Sequence, residues 1–114
     1  MKQLLAKFSY AFRGVGLALK DKSVIVQVVI MLLALVFFSF FDLSLIEWCV
    51  LLMCCGMVIV AEMFNTVIER MMNFIHPECD DRVRDIKDFG AGVVLAASFF
   101  ALLIGILIIG SKII

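Results

Sequence analysis

Three apolar runs dominate the chain, at residues 24–41, 43–61 and 90–110, and a patterned segment precedes them. Each run is close to the ~20 residues that a helix needs to cross ~30 Å of hydrocarbon. Backbone groups in lipid must bond within their own segment, and the runs are too continuous for barrel strands, so three membrane helices are predicted. Ahead of them Leu4, Phe8, Phe12, Val15 and Leu19 recur at steps of three and four, with Lys2, Lys7, Arg13 and Lys20 mostly off that stripe. That spacing predicts an amphipathic helix over about 2–21, lying on a membrane surface with its basic groups among headgroups. The second run has no stop at Ala61; its pattern continues to about residue 75, where Pro77 pushes His76 out of the helical region. Gly90, Ala91 and Gly92 open the third run with a small face on which another helix can approach closely. The expected architecture is an all-α membrane protein, one domain over residues 1–114, with a surface helix and three spans.

Composition agrees with that pattern: 65% of the 114 residues are apolar and mean hydropathy is +1.18. The formal net charge is zero, but the charges are unevenly placed. Lys2, Lys7, Arg13, Lys20 and Lys22 precede the first run, and Arg70, Arg82, Arg84 and Lys87 lie between the second and third. The link between the first two runs holds Asp42 and Glu47 without a base, and only Lys112 follows the third. Basic residues stay on the cytoplasmic side, which puts the N-terminus and residues 62–89 inside and the C-terminus outside. The first apolar run starts too late for a cleaved leader, and no such leader is expected. Cys49, Cys54, Cys55 and Cys79 have no zinc-like spacing and read as packing residues.

Against this apolar background, AEMFNTVIER at residues 61–70 is out of place. Glu62 and Glu69 stand seven apart, which on a helix separates them by only about 20° around the axis. Asn65 and Thr66 complete the same stripe. A carboxylate inside a membrane segment is costly and marks a functional candidate facing a bundle interior or a wet cavity; the alternative is a solvated collar at the helix end. Lys87 and Asp88 precede the third run at the same expected depth as the glutamates. Mg²⁺ takes one or two carboxylates plus phosphate oxygens, and lysine supplies a point charge for phosphate. The group therefore suits a charged ligand held with a divalent metal. No Walker A loop, GxGxxG or kinase HRD motif is present.

The pattern Glu62-x-x-Asn65-x-x-x-Glu69, the eighteen-residue step to Lys87-Asp88 and the following small-residue run with Val93-Val94-Leu95 resemble the small bacterial integral-membrane lipid kinases, the diacylglycerol kinase and undecaprenol kinase family. Tyr10-Ala11-Phe12-Arg13-Gly14 also looks like that family's N-terminal segment, so the resemblance covers essentially the whole chain. It implies a homotrimer in the bacterial inner membrane, with active sites shared between subunits, and MgATP-dependent phosphorylation of a lipid alcohol. By that resemblance Glu62 is the catalytic base and Glu69 a metal ligand beside the phosphates. Tyr10, Glu69, Glu78, Lys87 and Asp88 bind ATP, and Asn65 supports the site. The family's metal-binding glutamate at the end of the surface helix is Lys22 here, with Asp21 beside it as the substitute metal ligand. An aspartate that often follows Glu69 by four is Asn73. The expected partners are a membrane lipid, either undecaprenol or a diacylglycerol, and ATP, with no nucleic acid. Two other classes stay open: a weakened relative that binds nucleotide or lipid as a membrane subunit, and a small ion-coupled transporter. No acidic residue lies in the middle of any span, and Gln27 sits near the cytoplasmic entry of the first, which disfavours a transport path.

Overall fold

A computed structural model describes residues 1–78 and 80–114; Cys79, read above as a packing residue, lies outside the described residues. The described chain is all helix and turn, in the order α1 (Lys2–Ala18), α2 (Lys22–Phe38), α3 (Leu45–Ile75) and α4 (Asp81–Ile113). α1 and α2 meet at 84° across a three-residue break. The bend is set by Asp21, whose extended backbone ends α1's path and whose carboxylate caps α2 by accepting from the N–H groups of Ser23 and Val24. Such a cap satisfies helix N–H groups that have no partner in the first turn.

α3 starts with a capping box: Ser44 accepts from the Glu47 N–H, and the Glu47 carboxylate accepts from the Ser44 N–H. It runs for 31 residues and stops at His76, before Pro77. At about 1.5 Å per residue, such a helix is longer than the hydrocarbon layer is thick, so one end must reach past it. α4 begins at Asp81, nine residues before the apolar run that marks its membrane part. Asp80 caps it by accepting from the Val83 N–H at 2.9 Å, and Arg84 pairs with Asp81 on its first turn. The polar residues before Gly90 are good enough helix formers, once capped, to extend the span outward as a helix.

α3 packs along α4 and more lightly against α2. α3 and α4 are each long and apolar enough to cross a membrane, and the bent pair α1–α2 supplies a third crossing if it is taken as one span. Most large apolar side chains face outward, as lipid contact requires. The far end of the bundle is closed by Phe38, Leu51 and Ile108, with Leu35, Leu43, Trp48, Ile104 and Ile109 packed around them. Gly105 makes that plug possible, because a methyl group there would stand 3.3 Å from Cζ of Phe38. At this end Lys112 Nζ lies 2.7 Å from Glu47 Oε1, joining the last turn of α4 to the first turn of α3. Lysine at a helix C-terminus and glutamate at an N-terminus each also complement the backbone dipole.

Candidate functional site

The polar stripe of α3 points at α4 where the two helices come closest to the basic end of the bundle. Glu62, Asn65 and Thr66 are each 7% exposed, the only polar or charged side chains among the described residues that are buried. Asn65 Nδ2 donates to Glu69 Oε1 at 3.4 Å, while Asn65 Oδ1 is buried without a partner. That oxygen looks onto Gly90 of α4: a methyl group there would sit 2.5 Å from it. Glu69, one turn beyond, is exposed. The stripe thus passes from a buried carboxylate to an open one, and Glu69 is about 10 Å from Glu62 along the axis.

The α1–α2 bend reaches this stripe from the other side. Arg70 Nη2 donates to Asp21 Oδ2 at 3.2 Å, and Thr66 Oγ1 donates to Asp21 Oδ1 at 3.5 Å. Burial alone would raise the Asp21 carboxyl. The hydrogen bonds from the Val24 amide, the Arg70 guanidinium and the Ser23 amide outweigh it and hold the group below the usual aspartate value of 3.8. Both oxygens of Asp21 are therefore engaged inside the chain. Lys22, the first residue of α2, is exposed.

On the α4 side, Lys87 Nζ donates to Asn73 Oδ1 of α3 at 2.6 Å. Asp88 is exposed beside it. Glu78 lies exposed in the α3–α4 turn, where its carbonyl faces His76 Nδ1 at 2.9 Å. In the same turn His76 and Arg82 flank the Asp80 carboxylate, at 3.3 Å and 3.9 Å. The Val83 N–H and these two side chains outweigh burial and keep Asp80 below its ordinary value. Tyr10 stands 72% exposed on α1. Within one chain, then, Glu62, Asn65, Glu69 and Asp21 gather round Thr66 and Arg70, and Lys87 joins them through Asn73. Tyr10, Glu78 and Asp88 are exposed and, among the described residues, are not joined to this group by any hydrogen bond or ion pair.

Two spaces open in the bundle, and the second adjoins this group through Thr66 and Arg70. A cavity of about 380 Å³ between α2, α3 and α4 is lined by Gln27, Phe38, Leu51, Ser98, Gly105 and Ile109, among others. A cleft of about 400 Å³ between α1 and α3 is lined by Ala11, Gly14, Val15, Thr66, Val67 and Arg70. Phe64, Phe99 and Phe100 face outward, at 65%, 56% and 63% exposure, whereas Val67 lines the cleft. Phe64 is two residues from Glu62, on the opposite side of α3.

Among the described residues no three His, Cys, Asp or Glu side chains come close enough to hold a metal alone. The donor set instead fits a Mg²⁺ that arrives with phosphate oxygens. Such an ion needs only one or two protein carboxylates, and Glu69 offers an exposed one that, among the described residues, accepts a hydrogen bond from Asn65 alone.

A helical membrane protein with a half-buried line of carboxylates and amides, flanked by cations at one end of the bundle, is a protein built to handle a charged group at the membrane boundary. The family profile described as prokaryotic diacylglycerol kinase matches residues 9–109, and the chain belongs to that family. No individual curated protein matches it.

Proposed function

We propose that this protein is a MgATP-dependent lipid kinase that phosphorylates the hydroxyl of undecaprenol or a diacylglycerol at the inner face of the bacterial cytoplasmic membrane. The observation that carries the reading is Glu62, a carboxylate 7% exposed on the stripe that leads to the open carboxylate of Glu69. Burying a carboxylate without a cation beside it is unfavourable, and a base that must meet a lipid hydroxyl has reason to sit there. Glu62 takes the hydroxyl proton as the lipid oxygen bonds to the γ-phosphorus and the bond to the ADP oxygen breaks. Transfer of this kind depends on positioning and charge neutralisation more than on covalent steps. Mg²⁺, when bound with the nucleotide at Glu69, supplies part of that neutralisation, with Asp21 as a second candidate ligand should it leave Arg70. Lys87 supplies a fixed cation to the phosphates, Asp88, Glu78 and Tyr10 reach the nucleotide from the rim, and Asn65 steadies Glu69. The apolar cavity and the α1–α3 cleft give the substrate's hydrocarbon two places to lie. A homotrimer would bring a neighbour's α1 and Tyr10 to a site that one thin bundle leaves open. The basic N-terminal and central segments support a cytoplasmic N-terminus.

A second reading, a nucleotide- or lipid-binding relative with weakened catalysis, is favoured by one observation: Asp21 is tied to Arg70 while its neighbour Lys22 carries the wrong charge for a metal. Phosphate transfer from labelled ATP with Mg²⁺, by the purified protein in mixed micelles, separates the two. Undecaprenol and a diacylglycerol are supplied in separate reactions, with Glu62→Gln as control. A labelled lipid absent from the control supports the kinase and names its substrate; no labelled lipid from either overturns it.

A further inference from the structure

The polar line on α3 does not end at Glu69. Steps of three and four lead from Glu62 through Asn65 and Glu69 to Asn73, so all four side chains share one face. Asn73 is where the line meets α4, through the 2.6 Å hydrogen bond that its Oδ1 accepts from Lys87 Nζ. Lys87 forms no ion pair among the described residues, although Glu69 is one turn from Asn73. This is a notable choice of partner for an ammonium on a flexible stem. Opposite charges near a protein surface attract modestly, and without Asn73 as acceptor the Lys87 stem is free to turn toward Glu69.

We propose that Asn73 is a positioning residue that holds the Lys87 ammonium ready for nucleotide phosphates and away from Glu69. A carboxamide oxygen suits the task. It takes one of the three donors of the ammonium and leaves two for a ligand. It also leaves the Glu69 carboxylate open to a metal ion. The proposal deepens the kinase reading and rests on it for the identity of the ligand.

Asn73→Ala, Asn73→Asp and the wild type are compared in two experiments. The first is steady-state lipid phosphorylation with varied ATP. Asn73→Ala is expected to raise KM for ATP about tenfold, equivalent to about 1.4 kcal/mol, with kcat changed less than about twofold; Asn73→Asp, which keeps an acceptor oxygen, stays within about threefold of the wild type. The second needs no turnover: trace acetylation of lysines in the purified protein, read at Lys87 by mass spectrometry. Lys87 is expected to react several-fold faster in Asn73→Ala and more slowly in Asn73→Asp. Equal Lys87 reactivity in all three proteins overturns the proposal, as does an unchanged KM in Asn73→Ala. A wild type that labels as expected across the series but transfers no phosphate would refute the kinase reading and leave the Asn73–Lys87 hold standing.

Discussion

Gly90→Ala adds one methyl group at the point where α4 faces the stripe, and its consequences are calculable. The new carbon would lie 2.5 Å from Asn65 Oδ1, 3.5 Å from Asn65 Cγ and 3.6 Å from Ile68 Cδ1. Unstrained contact needs about 3.5 Å, so Asn65 or the whole helix must yield by about 1 Å. Asn65 is 7% exposed and has no solvent to swing into. Overpacking of this kind costs about 1–3 kcal/mol, and the better helix propensity of alanine returns about 0.8–1 kcal/mol. The net loss of stability is then at most about 2 kcal/mol, and a folded variant is expected. Activity should respond far more strongly. The shift breaks the 3.4 Å link from Asn65 to Glu69 and moves the carboxylates relative to Lys87; a misplacement of about 1 Å costs on the order of a hundredfold in rate. Initial rates of lipid phosphorylation in mixed micelles, alongside a denaturation midpoint from circular dichroism, test both halves. The double variant Asn65→Ala/Gly90→Ala removes the colliding group and should recover stability while remaining slow. A Gly90→Ala protein within about twofold of the wild-type rate, at unchanged stability, would refute the reasoning, since no packing of these two helices could then depend on Gly90.

Other outcomes follow from individual contacts. Glu62→Gln should retain MgATP binding, measured by calorimetry, and lose phosphotransfer; Glu69→Gln should weaken nucleotide binding only when Mg²⁺ is present. The Asp21 carboxyl is held below 3.8 by its donors, so its contribution to docking the α1–α2 bend is complete above that value and declines as pH falls through the lower, folded-state value. Spin labels on α1 and α3 should report a constant separation from neutral pH down to about 4 and a widening in stronger acid; Asp21→Asn should show the wide state at every pH. At the far end, Lys112→Glu should lower the unfolding midpoint by opposing Glu47, and adding Glu47→Lys should recover only part of the loss, because the capping box is then missing and both charges oppose the helix dipoles.

The helical class and the family were legible because each rests on a pattern that survives without three-dimensional information. An apolar run of about twenty residues has few other solutions, and Glu62, Asn65 and Glu69 share a helical face by arithmetic alone. What could not be read were relations between helices. Nothing in the order of residues says that Asn73, fourteen positions away, is the acceptor for Lys87. Nor does it say that Arg70, which looks like one more topological charge, turns back to bind Asp21. The cap formed by Asp21 did have a signal, an aspartate three residues before the apolar run that opens at Val24, with Lys22 and Ser23 between.

The Asp21 cap bears on how the site is organised. An aspartate that caps α2 and accepts from Thr66 and Arg70 performs three local tasks with one carboxylate. Withdrawing it to bind a metal would uncap the helix, unpair the arginine and loosen the bend together. In the proposed kinase such a carboxylate would yield to a divalent ion only as phosphate oxygens arrive to pair with Arg70. Among the described residues Glu69 accepts one weak hydrogen bond, from Asn65. On that reading the asymmetry makes Glu69 the carboxylate that would receive a metal first, and any part played by Asp21 conditional on nucleotide being present.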